Sequence, residues 1–398
     1  MAEKKQSRRL TFLMVLLLSL AIVLGGRTLH RKYEVEALRH DCQVSQRGEN
    51  WRELLHHAER WTAIEPQNDD AWIYLATAKR FTEDWEGFVS AVENLPPTNP
   101  FYIPSLQAVG DVLIDETKDI RRAEQIFLQI LSLDPNNHIA YQRLTFLYSM
   151  TLQNHKLHYV LRESIRRGEA TAETYVYLTT LSSLNFSNGL FRVAQWKTGT
   201  SDYWPLESAH KVYLARAKPT QANRMVRRLD ASIAAYEDTR PGLDLLRENP
   251  ANPCLLAFYI ELAMEVGDSA VVGKYLSLWP DDQRQDFRYW RYRGWHADME
   301  DQLDLSLECY EKAVSIHPMD WKSRDGLAMI QRSLGAPEAG GNAELAVIGK
   351  DLTREMLELP TGNDISASQL SALGQYAKRC GDTMVSEGIT KLITAGRR

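Results

Sequence analysis

Between Gln285 and Trp295, Arg288, Arg291 and Arg293 alternate with Phe287, Tyr289, Trp290, Tyr292 and Trp295. Guanidinium groups among aromatic rings have three common uses. They fork onto carboxylates, they stack on nucleic-acid bases, or they stay as a wet face over an aromatic core. A formal net charge of −5 at pH 7 argues against nucleic acid as the partner. Other chemistry-bearing residues are scattered. His56-His57 lacks the His-Glu-x-x-His spacing of a zinc protease, so two helix histidines at the surface are the simpler account. Cys42, Cys254, Cys309 and Cys380 lie far apart with no Cys-x-x-Cys pair, which reads as buried thiols rather than a metal or haem site. There is no Walker loop, no Gly-x-Ser-x-Gly elbow and no Gly-x-Gly-x-x-Gly turn. The chain is therefore expected to carry no catalytic, cofactor-binding or metal-ligating residue, and not to be an enzyme.

The elements that position these residues show in the hydrophobic period. Ala123, Phe127 and Ile130 fall on one face of a helix that Leu131 and Leu133 complete and Asp134-Pro135 stops. Ser306, Tyr310, Ala313, Ile316 and Pro318 repeat that ending, after Trp290, Gly294 and Ala297 in the preceding helix. A further copy has Trp72, Leu75 and Ala76, then Trp85, Phe88, Val92 and Leu95 before Pro96. Leu256, Tyr259, Ile260 and Ala263, then Val272, Leu276 and Trp279 before Pro280, give another. A helical hairpin of this size cannot cover its own apolar face, so the hairpins must stack.

The small residue, aromatic, small residue and proline at these spacings resemble the tetratricopeptide repeat, a helical hairpin of about 34 residues. The resemblance implies an all-α superhelical solenoid whose first helices line a concave, peptide-binding face. In that family, ligand contacts come from the second, fifth, ninth and twelfth positions of the unit. Counting back from Pro318 puts Arg288, Arg291, Trp295 and Asp298 there, and the next unit supplies Lys322, Asp325, Met329 and Arg332. Arg288, Arg291, Trp295, Lys322, Met329 and Arg332 are the expected peptide-binding residues. Four cations beside a Trp and a Met would suit an acidic extended peptide or a terminal carboxylate. Trp295 and Met329 occupy the ninth position, where carboxylate-clamp relatives carry Asn. The amino-terminal units offer a more apolar surface, with Ile73, Arg80, Phe81, Gln142 and Phe146.

The chain divides as follows. Residues 1–9 form a basic cytoplasmic tail with Lys4, Lys5, Arg8 and Arg9. Residues 10–26 are almost wholly apolar; roughly 17 residues at ~1.5 Å each span ~25 Å, enough for a short transmembrane helix flanked by snorkelling Arg27, Arg31 and Lys32. A cleaved signal peptide is the alternative. Either way the repeats would lie outside the cytoplasm. Residues 27–50 read as a juxtamembrane linker or helix, 51–184 as an amino-terminal repeat block, 185–249 as divergent repeats or an insertion, and 250–398 as a second repeat block. Thr174 to Leu184 is rich in β-branched and aromatic residues, yet the hairpin period calls for helix. The expected function is a membrane-tethered scaffold that binds proteins or peptides; its resemblance to anchored repeat proteins implies work in assembling an envelope complex. A periplasmic holdase for unfolded clients, and an enzyme with its site in 185–249, are the competing readings.

Overall fold

A computed structural model describes residues 25–27, 29–183, 246–247 and 250–396. All regular structure among them is helical, and the helices run as stacked hairpins. The chain separates into two compact units, Met1–Thr117 and Lys118–Arg398. Residues 10–24 and most of 185–249 lie outside the described residues. Among the described residues no helix is long and apolar enough to cross a membrane.

Unit 1 opens with helix α1, residues 29–47. It is followed by α2 (Trp51–Ile64), α3 (Asp69–Phe81), α4 (Trp85–Glu93) and α5 (Tyr102–Asp115). The segment expected as a juxtamembrane linker or helix is thus the first helix of a hairpin. Val35, Leu38, Cys42 and Ser45 fall on one side of α1 and are buried, as are Leu54, Ala58 and Trp61 of α2. Glu34 pairs with Arg60 at 2.9 Å, Arg31 donates to the Ile64 carbonyl, and the Arg39 guanidinium lies 5.5 Å from the Trp61 ring centre. Pro104 sits in the first turn of α5, where its missing N–H costs nothing.

Unit 2 holds α6 (Ile120–Leu133), α7 (His138–Met150), α8 (Asn154–Arg167) and α9 (Ala172–Thr180), which runs into a 3-10 turn at Leu181–Ser183. The second stretch is α10 (Pro253–Val266), α11 (Ser269–Ser277), α12 (Phe287–Met299), α13 (Leu303–Ile316), α14 (Trp321–Ser333), α15 (Ala339–Leu357), α16 (Ala367–Arg379) and α17 (Thr383–Thr394). Short polar caps start many of these helices: Asp119, Asn137, Asn252, Asp268, Asp320 and Asp382 each accept from a first-turn N–H. Gly340 and Gly341 lie in the first turn of the 19-residue α15.

The hairpin turns carry the repeat in their backbone. A residue with left-handed φ closes each one, every 34 or 35 residues at Glu49, Glu83, Lys118 and Leu152, and every 34 at Gly267, Asp301 and Gly335. Packing explains the residue types. The Tyr310 ring from α13 fits against Gly294 of α12 and Gly326 of α14; a Cβ on Gly294 would lie 2.9 Å from it, and one on Gly326 would overlap it. The aromatic thus joins its own hairpin to the next, and only glycine leaves room on both sides.

In an open repeat array each unit touches its neighbours alone. Unit 2 departs from this. Helices α8 and α9 pack on α17, and α9 also packs on α15. Arg162 of α8 forks onto Asp382 at 2.6 and 3.2 Å, and Thr353 donates to the Thr179 carbonyl at 3.3 Å. Helix α9 is buried nearly all round, and its β-branched residues suit that position. The Thr179 and Thr180 hydroxyls satisfy themselves on the Tyr175 and Val176 carbonyls one turn back.

Candidate functional site

Helices α12 and α14 are adjacent first helices, and they carry the six residues expected to bind a peptide. The structure divides the six. Arg288 and Arg291, on the first turns of α12, are only 5% and 3% exposed. Arg288 binds back onto Asp286, the cap of its own helix, with its Nε 3.1 Å from both carboxylate oxygens and its second terminal nitrogen at 2.6 Å. Arg291 reaches Asp320 at 3.0 Å, Ser182 at 3.2 Å and Glu261 at 3.2 Å. The two guanidinium groups expected to grip a ligand carboxylate grip carboxylates of this chain. The counting of repeat positions put all six on the two first helices α12 and α14. It could not show that residues 154–183 return to cover the first half of that face.

Arg291 sits at the middle of a buried polar lattice. Ser182 donates to the second oxygen of Asp320 at 2.7 Å, and the Ser323 N–H donates to the first at 3.0 Å. The Tyr292 hydroxyl donates to Glu261 at 2.7 Å. Burial opposes the charge on Asp320, yet Arg291, His317 and the two serines together hold its carboxyl well below the usual carboxylate range. Burial likewise works against the charge of Arg291, and Asp320 and Glu261 more than offset it. Beside this lattice, His158 of α8 and His317 lie 5.0 Å apart with Phe287 against both rings. Burial pushes His317 down to about 4. Burial, then His317 and Arg162, pushes His158 well below its ordinary value. Both rings are neutral near pH 7. The His158 Nε2 and His317 Nδ1 atoms are buried without a hydrogen-bond partner.

The other four residues lie towards solvent. Trp295 is half-buried against Tyr310, Leu327 and Ile330. Met329 is 51% exposed, Arg332 is exposed, and half-buried Lys322 holds its ammonium 6.0 Å from the Trp321 ring centre. Asp298 and Asp325 share this face, and burial, then Asp301, raises the Asp298 carboxyl. Trp295 and Met329 hold the same position in successive hairpins, so they form an apolar strip between side chains of both charges. In unit 1, Phe81 is exposed and stacks on Trp51 at 4.0 Å, with Arg80 exposed and Ile73 half-buried nearby in α3. Gln142 and Phe146 belong to unit 2, where Gln142 is exposed and Phe146 half-buried.

Among the described residues no three His, Cys, Asp or Glu side chains are arranged to hold a metal ion. The four cysteines are buried thiols, and burial pushes Cys42 and Cys254 up to about 12. His56 is exposed on α2 and His57 half-buried.

Neither a protein-family model nor a curated protein sequence matches the chain. Among solved structures it aligns with the APC/C hetero-tetramer Cut9–Hcn1 at 13% identity, over 91% of this chain and 72% of that one, with a TM-score of 0.31. It also aligns with Naa15/Naa10 bound to HypK-THB at 13% identity, over 88% of this chain and 61% of that one, with a TM-score of 0.29. The hairpin fold rests on the helix pairing and turn period of this chain itself.

Proposed function

We propose that the chain is a protein-binding scaffold, held at a membrane by residues 10–26, that helps to organise an envelope-associated complex. Its partner surface in unit 2 is the strip of Trp295 and Met329 with Lys322 and Arg332 beside it. One observation supports this most. A large apolar side chain holds the same position of two successive hairpins, half-buried Trp295 in one and exposed Met329 in the next, close to cations, while the arginines deeper in the face are engaged by the chain's own acids. An exposed Met and a half-buried Trp at a shared register make an anchor for a peptide side chain. Arg332 and Lys322 suit acidic residues flanking that anchor. The reading assigns the chain no turnover.

The test is crosslinking and pull-down from native membranes with wild type and with Met329→Glu/Arg332→Glu. Loss of part of the captured set supports the strip. An identical captured set removes it. Membrane fractionation of the chain lacking residues 1–26 tests the tether separately; a chain that still pellets with membranes would overturn that part.

A further inference from the structure

Apart from the strip, unit 2 contains a part-open cavity of about 500 Å³ where the starts of α8 and α10 come together. Its chemistry is unusual for a gap between helices. Four carboxamides line it, Gln153, Asn154, Asn252 and Gln283, together with the cations Arg121, Lys156 and Arg288, the last of them held by Asp286. A volume of this order is that of a small-ligand pocket, roughly 300–1,000 Å³.

Each amide keeps hydrogen-bonding capacity beyond the bonds it makes inside the fold. Gln153 donates to Thr151 at 2.8 Å and keeps its carbonyl. Asn154 donates to the Leu181 carbonyl at 3.1 Å and also keeps its own. Asn252 does the reverse: its carbonyl accepts from the Cys254 and Leu255 N–H groups, and its NH₂ remains. Among the described residues Gln283 hydrogen-bonds through its backbone alone, and its carbonyl accepts from Trp279 and Asp286. The cavity therefore presents acceptors on the α8 side and a donor at the start of α10, with Gln283 able to act as either. A peptide bond offers one donor and one acceptor at the same spacing as a carboxamide, so such groups can hold an extended main chain without selecting its side chains.

The charged residues add a preference. Two acids line the cavity, but Glu124 is taken up by the Tyr148 hydroxyl at 2.9 Å and Lys156 at 2.7 Å, and Asp282 sits at an exposed position. Lys156 retains donor capacity after that pair. Helix α8 starts with no side-chain cap, so the N–H groups of its first turn add partial positive charge at the same end. We propose that this cavity binds the main chain of an extended peptide carrying a carboxylate, contributed by the partner protein of the preceding reading, on which this inference rests.

The full chain is titrated with labelled short peptides containing Asp or Glu, and with twins in which those residues are Asn or Gln. The acidic peptides bind tighter than their twins. Gln283→Ala, at a side chain with no hydrogen bond among the described residues, weakens that binding about tenfold while the melting temperature stays near wild type; Lys156→Gln weakens it by a similar factor and, by taking the cation from buried Glu124, also lowers the melting temperature. Equal binding of acidic and neutral twins overturns the proposal, as does unchanged affinity in both cavity variants. Binding of citrate or phosphate with no peptide binding also overturns it, and marks a small-anion site. The two readings fail in different ways. If membranes yield no captured protein at all, the scaffold reading falls; if proteins are captured equally by wild type and by Gln283→Ala/Lys156→Gln and the peptides do not bind, only the cavity falls.

Discussion

The two ends of helix α12 belong to one repeat register and are used in opposite ways. Near its start, Arg288 and Arg291 are sealed in against Asp286, Asp320 and Glu261. Near its end, Trp295 is half-buried, and its counterpart Met329 in the next hairpin faces solvent. The same register of a repeat is thus structural over one half of a helix and accessible over the other. What decides between them is a segment more than a hundred residues upstream: Ser182 reaches Arg291 across 109 positions of chain. A cation on a groove face says little about ligands until the covering element is known.

Arg291→Ala breaks the comparison hardest. It leaves buried Asp320 and half-buried Glu261 without that cation, a loss of about 3–5 kcal/mol by denaturant unfolding. Arg332→Ala, at an exposed position, changes stability by no more than about 0.5 kcal/mol while lowering partner capture. Equal stability of the two variants would dissolve the distinction. Next comes Arg162→Ala. Removing the fork onto Asp382 costs about 2 kcal/mol. It should raise hydrogen exchange in α17 before α12; uniform exchange would mean that the closure carries no local stability.

The histidine pair sharpens the same contrast through pH. His317 is lowered from about 6.5 to about 4, so the unfolded chain takes up its proton first and the folded state does so last. The stability it contributes is full above about pH 6.5 and is lost as pH falls towards 4. Each such histidine contributes a slope of up to ~1.4 kcal/mol per pH unit in that window. His317→Gln should flatten it, read as melting temperature against pH; an unchanged slope would place the proton uptake elsewhere. The smallest effect lies in the turns. Gly267, Gly335 and Gly381 adopt left-handed φ freely, whereas Glu83 adopts φ 60° against its preference. Glu83→Gly should stabilise unit 1 by about 1 kcal/mol. A loss of stability would show that the Glu83 side chain does more than close a turn.

Much of the fold was legible in the residue pattern because short-range physics sets it. The Ala123–Phe127–Ile130 stripe, the Trp290–Gly294–Ala297 helix and the proline stops all depend on neighbours within one or two turns. The helix through the β-branched 174–183 stretch was legible for a further reason: its flanks required the hairpin. Three things were hidden. Helix α1 buries only four spaced positions on an otherwise polar run, so it passes for a linker. The turn period was masked because Glu, Lys, Leu and Asp close turns that glycine signals elsewhere. The closure of unit 2 was invisible because Arg162 and Asp382 look like ordinary surface charges and meet across 220 positions. For the candidate site, the pattern named six positions on α12 and α14, and only the three-dimensional return of α8 and α9 sorted the buried ones from the open ones.

That return also sets an order of events at the ribosome. Helix α9 emerges long before α15 and α17, which cover it, and Arg162 must wait for Asp382, 220 residues downstream. At about 5–20 residues per second that interval lasts roughly 10–40 s. Throughout it, a helix meant to be covered on nearly every side stays open to water, which makes this the stretch where a nascent chain most needs shelter.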